Sequence, residues 1–158
     1  MDLANRFEPP QVAGERDTLT GFLQFQRDTL AWKCAGLTPE QLRSTPIAPS
    51  TLSLLGLVGH MANVEQGWFR EVFAAEDLEP VDDEWAAVDV EVTFDLWRAA
   101  CARSRKIVEA APSLDDVGHD DGETYSLRWI LTHMIEEYAR HNGHADLLRE
   151  RLDGRTGE

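Results

Sequence analysis

Three side chains in this 158-residue sequence have the types and spacing that could do chemistry: His60, Glu137 and His141. Glu137 and His141 stand four apart in a stretch where Ile130, Met134, Tyr138, Ala145, Leu148 and Leu152 recur at steps of three, four or seven. That period is helical, and it assigns the carboxylate and the imidazole to the apolar side. Residues four apart on a helix point the same way, about one turn from each other, so both can converge on one ion without bending the backbone. His60 lies in the middle of another apolar stretch, with Gly56, Leu57, Val64 and Gly67 as its helical neighbours. Two imidazoles and one carboxylate would give a tetrahedral divalent metal three ligands and leave one position open. Each residue also has a plainer reading. His60 can be a core histidine bonded to a helix carbonyl or to Tyr138. Glu137 can face solvent beside an ordinary Glu136–Arg140 ion pair. His133 and His144 extend the polar line by a turn either way, as neighbours of the ligands, alternate ligands or solvated residues. Glu65 reads as a surface residue, with proton handling as the alternative.

The elements that must position these residues are helices. Residues 1–15 carry Pro9, Pro10 and Gly14 and form an N-terminal arm. Asp17 or Thr18 can cap a first helix whose Leu19, Phe22, Leu23, Gln26, Leu30 and Lys33 repeat at helical spacing up to Gly36. Thr38-Pro39-Glu40-Gln41 is a capping box with proline at the first helical position, and it starts a short helix reaching Arg43. A second long helix runs from about Ser50–Ser53 to Ala75 and is apolar around much of its circumference, as a helix buried on more than one side must be. An acidic connection, Glu76 to Glu91, follows. It is expected to be a solvated loop, with Trp85 as the residue that could pin it across an opening. The third long helix spans about Thr93 to Ala110, and Pro112 ends it. Ser113 to Tyr125 is turn-rich, and Ser126 then caps the last helix, which Gly154 closes. No strand alternation stands out. Four long helices plus a short one predict an all-α fold, a four-helix bundle forming a single domain over residues 1–158.

Composition narrows the function. Fifteen Lys and Arg against 29 Asp and Glu give a net charge of −14, which disfavours binding to nucleic acid or to an anionic membrane. No basic-then-apolar leader and no run of about 18 apolar residues is present, so a cytoplasmic protein is expected. Cys34 and Cys101 form no CxxC pair. They read as small buried core residues that stay reduced.

The segment Gly56-Leu-Val-Gly-His60-Met-Ala-Asn-Val-Glu65-Gln-Gly-Trp68-Phe69, together with Glu137-x-x-x-His141-Asn-Gly143-His144-Ala-Asp146, resembles the DinB-like superfamily of metal-binding four-helix bundles. The resemblance covers nearly the whole chain and looks closest to an actinobacterial subfamily of unassigned function. It implies a divalent metal, zinc or nickel, held by His60, Glu137 and His141. Many members carry histidine at the Glu137 position. Glutamate there is similar to the mycothiol-dependent maleylpyruvate isomerase branch. Several members are thiol S-transferases, so the resemblance implies a low-molecular-weight thiol as cosubstrate, a small-molecule partner, and homodimerisation through helix faces. In that case the nucleophile arrives with the cosubstrate and no catalytic cysteine is needed. Two other classes stay open: a metal-dependent hydrolase, and a non-catalytic, stress-related metal-binding bundle.

Overall fold

A computed structural model describes residues 6–78 and 89–157 of the chain. Trp85 and most of the acidic connection lie outside the described residues. Among the described residues there are five α-helices: α1 (Glu15–Cys34), α2 (Pro39–Arg43), α3 (Leu54–Glu65), α4 (Val90–Ala110) and α5 (Leu127–Asp153). The fold is mainly α-helical, as the periodicity predicts.

Local chemistry sets most of the boundaries. Thr38 and Gln41 form the reciprocal capping box of α2. Ser53, Asp89 and Ser126 accept from backbone N–H groups as N-caps of α3, α4 and α5. Gly154 closes α5 at φ 79°, a left-handed conformation that glycine adopts without steric cost. α1 starts at Glu15, earlier than expected, because the hydroxyl of Thr18 bonds back to the carbonyl of Gly14 instead of capping a later turn.

Two features depart from the expected pattern. The second long helix is not α-helical throughout: Gln66–Phe73 continues α3 as a π-helical segment. Also, part of the expected turn region is a β-hairpin, with β1 (Val117–Asp120) antiparallel to β2 (Glu123–Ser126). Gly118 of β1 lies directly on the π segment, where an added Cβ would sit 2.3 Å from the carbonyl oxygen of Val72. The hairpin is thus fixed to the π segment at a point where only a hydrogen fits.

α1 packs chiefly against α5 and α3 against α4, while α3 and α5 meet along a narrower line. The core between them holds Leu30, Leu54, Leu57, Met61, Ile130, Leu131 and Met134, all fully buried. Cations lock the helix ends. Arg149 of α5 donates to the carbonyls of Lys33 and Ala35 at 2.8 Å each, satisfying carbonyls that α1 leaves unpaired at its C-terminus. Arg16 of α1 does the same for Val108 and Ala111 at the end of α4. Lys33, itself buried, pairs with Asp146. These contacts hold the helical faces that carry the candidate residues in fixed register.

Candidate metal centre

The narrow line between α3 and α5 brings His60, Glu137 and His141 together. One potential ligand atom from each lies within 4.8 Å of the others. The rings of His60 and His141 are 4.7 Å apart, centroid to centroid, and meet edge to face. Glu137 Oε2 is 3.2 Å from His141 Nε2. All three side chains are half-buried. Burial first, and then the neighbouring His60 ring, lowers the His141 pKa below its ordinary value, so the imidazole is held neutral with a lone pair available. On its other side, His141 Nδ1 lies 3.4 Å from His144 Nδ1, a contact that leaves Nε2 facing Glu137.

His133 sits on the far side of Glu137, its Nε2 3.7 Å from Oε1. His133, Glu136 and Glu137 also fall within 4.8 Å of one another. Glu136, however, is exposed and pairs with Arg140, the ordinary helix ion pair expected of it. Glu137 does not share that solvated face: its carboxylate turns toward the histidines.

Glu65 is not a surface residue. It is fully buried and receives the Arg27 guanidinium on both oxygens, at 2.6 and 2.7 Å. Tyr138 donates to the same carboxylate at 2.8 Å, and Trp97 Nε1 donates to the Tyr138 oxygen at 2.8 Å. Burial opposes ionisation of Glu65, but the Arg27 charge and hydrogen bonds overcome it and hold the pKa below the ordinary value. Tyr138 is engaged in this cluster. The Cys101 thiol touches this cluster, 3.5 Å from Glu65 Oε1. Burial pushes the pKa values of Cys101 and Cys34 up to about 12, so neither is a thiolate near neutral pH.

An aromatic group missed by the sequence reading adjoins Glu137. Trp68 of the π segment meets Tyr125, Trp129 and His133 at 5.1, 5.2 and 4.8 Å, and Trp129 stacks on His133 at 4.8 Å with an interplanar angle of 14°. One signal was available: Trp129, His133 and Glu137 are spaced four apart along one helix face.

Two imidazole nitrogens and a carboxylate oxygen, gathered from two helices, form a donor set that suits a divalent ion with room for a further ligand. Among the described residues, no helix is long and apolar enough to cross a membrane. A comparison with curated proteins returns no match. The family model described as mycothiol S-transferase matches residues 18–154, a span that includes every helix except the first turn of α1. With a helical fold that agrees and a match over most of its length, the chain belongs to the mycothiol S-transferase family of the DinB-like superfamily.

Proposed function

We infer that the protein joins the sulfur of mycothiol to a small electrophile at a divalent metal site, zinc or nickel, formed by His60, Glu137 and His141. The observation that carries this reading is the convergence of those three ligand atoms within 4.8 Å in a chain whose own thiols are both buried. When bound, a divalent ion supplies positive charge that lowers the pKa of a coordinated thiol or water.

The chain's residues account for the rest. His60 and His141 offer imidazole nitrogens, and the lowered His141 pKa keeps its nitrogen unprotonated. Glu137 supplies one negative charge, which limits the net charge of a loaded site to one positive unit. His144 orients the His141 ring through Nδ1, the kind of outer contact that fixes the tautomer of a ligating histidine. The rings of Trp68 and Trp129 pack against His133, which stands beside Glu137. In the reaction, the thiol loses its proton to solvent. Its sulfur pair forms the bond to the electrophilic carbon, and the leaving group departs with the pair of the bond it breaks.

The same reading includes a cytoplasmic setting, where Cys34 and Cys101 stay reduced. It also includes a homodimer through helix faces, for which the exposed Val92 and Leu96 of α4 supply apolar surface. The test combines metal analysis of the purified protein, titration of the loaded protein with mycothiol, and mass spectrometry of the S-conjugate. Conjugation that needs both metal and mycothiol is expected. Turnover of an ester or amide without any thiol would replace this reading with a hydrolase. Metal that binds no thiol would leave a non-catalytic bundle.

A further inference from the structure

Burial is the favourable outcome for a tryptophan ring, yet Trp129 is 44% exposed on a helix that has an apolar core available. Contacts of Trp68 and Tyr125 explain how the hairpin is held against the π segment. Trp129 packs on the same two rings, at 5.2 and 4.9 Å, and stacks nearly parallel to His133, while His133 in turn reaches Glu137; part of the Trp129 ring still faces solvent. The rings thus form an aromatic column that begins at solvent with Trp129 and ends with His133 beside a candidate ligand.

Trp68 also borders a cavity of about 320 Å³, lined further by Gly67, Glu71, His119 and Asp120. Gly67 and Glu71 belong to the π segment that continues the helix carrying His60. No lysine or arginine lines this cavity among the described residues, and two carboxylates do. A carboxylate-bearing substrate would meet repulsion there. A flat ring without negative charge would meet aromatic faces, and a positive charge on it would be attracted both to the rings and to the carboxylates.

We propose that Trp129, Trp68 and His133 form the acceptor subsite, and that it takes flat aromatic electrophiles that are neutral or cationic and disfavours anionic ones. This rests on the thiol-transfer reading above for its chemistry, but the binding surface itself is independent of that reading. For a chloroarene the step balances: the C–S bond forms, the C–Cl bond breaks, chloride leaves with the bonding pair, and the thiol proton goes to solvent.

The test has two arms. In the first, dinitrobenzene, which has no leaving halide, is titrated into metal-free protein and followed by quenching of tryptophan fluorescence and by calorimetry. Calorimetric affinity should fall about tenfold in Trp129→Ala, the scale of one stacking contact, and recover in Trp129→Phe. In the second, metal-loaded protein and mycothiol are given chlorodinitrobenzene, chloronitrobenzoate or iodoacetamide, each rate being corrected for the uncatalysed reaction. The preference for chlorodinitrobenzene over iodoacetamide should fall about tenfold in Trp129→Ala, through KM rather than kcat. The discrimination against chloronitrobenzoate should shrink in Glu71→Gln. Dinitrobenzene affinity indifferent to Trp129, or a preference unchanged in Trp129→Ala, would overturn the subsite even if thiol transfer proceeds. Trp129-dependent binding with no transfer to any electrophile would uphold the aromatic subsite and remove the transferase reading instead.

Discussion

Tyr138 of α5 donates a 2.8 Å hydrogen bond to Glu65 of α3, and the carboxylate that receives it is touched from every long helix. Arg27 comes from α1, Cys101 from α4 and Tyr138 from α5. Tyr138 is the residue after Glu137, and Glu65 lies five beyond His60. A polar group that must keep all its partners tolerates only one rotation of each helix. Such a cluster contributes more to the choice of register than to net stability.

Arg27→Met should therefore destabilise the protein by about 3–5 kcal/mol at neutral pH, because it leaves the Glu65 charge buried and unpaired. Replacing both, as Arg27→Met with Glu65→Leu, should cost much less than the sum of the singles. Urea unfolding of the two single variants and the double variant measures this. The pH dependence follows in sign. Since the folded-state pKa of Glu65 is lowered, its contribution is fully present above the unfolded carboxylate value of about 4.3 and is lost as pH falls through the lower folded value.

His141 has the opposite charge type and a lowered pKa, with burial as the main cause. As pH falls, the unfolded chain takes up a proton near its ordinary value of about 6.5 before the folded chain does. Metal-free protein should thus lose stability as pH drops through that region and level off below the folded value. His141→Gln should flatten this part of the profile. Metal affinity should fall over the same window, since protons compete for the imidazoles. Affinity that stayed constant from about pH 8 to pH 5 would count against histidine ligation.

His141→Ala should fold, because α1, α3, α4 and α5 are held by their apolar faces and not by coordination. It should lose most metal affinity and, with it, any metal-dependent thiol transfer. Calorimetric titration with zinc and thermal melts of the metal-free proteins would show both. An unfolded variant would mark the histidine as a core residue, and unchanged metal content would remove it from the site.

Gly118→Ala should destabilise the protein by about 1–3 kcal/mol, the range for overpacking, since the obstructing atoms belong to the Val72–Phe73 backbone and cannot rotate away. Hydrogen exchange should show the loss concentrated in β1, β2 and the π segment.

Neither cysteine should react with a thiol-specific dye in the folded protein, and both should react after unfolding in guanidinium chloride. Their raised pKa values and burial give this result together.

What could be read from the sequence was what depends on near neighbours. The caps at Thr38 and Ser126 and the periods of the helices involve residues within a turn or two of each other. His60, Glu137 and His141 stood out because they interrupt apolar faces. Glu65 carried the same signal, with Val58, Met61, Ala62 and Phe69 at helical spacing around it, and Arg27 sits between Leu23 and Leu30 in the same way. Read alone, Glu65 looks like a charge on a surface; only its pairing with Arg27, across 38 residues, places it in the core. The hairpin escaped because its strands are only four residues long and mostly polar, and β1 carries a glycine. The π segment has no local mark, since the same residues serve equally well in an α-helix.

The buried cations have a consequence for ionic strength. Arg27, Lys33 and Arg149 are inside the bundle or at its helix ends, so part of a small basic complement is withdrawn from a chain already at −14. What faces water is more uniformly anionic than the composition suggests. Added salt usually weakens proteins that rely on surface ion pairs, but here it screens a self-repelling shell and hardly reaches the shielded pairs. The protein should be harder to unfold at moderate salt than in dilute buffer.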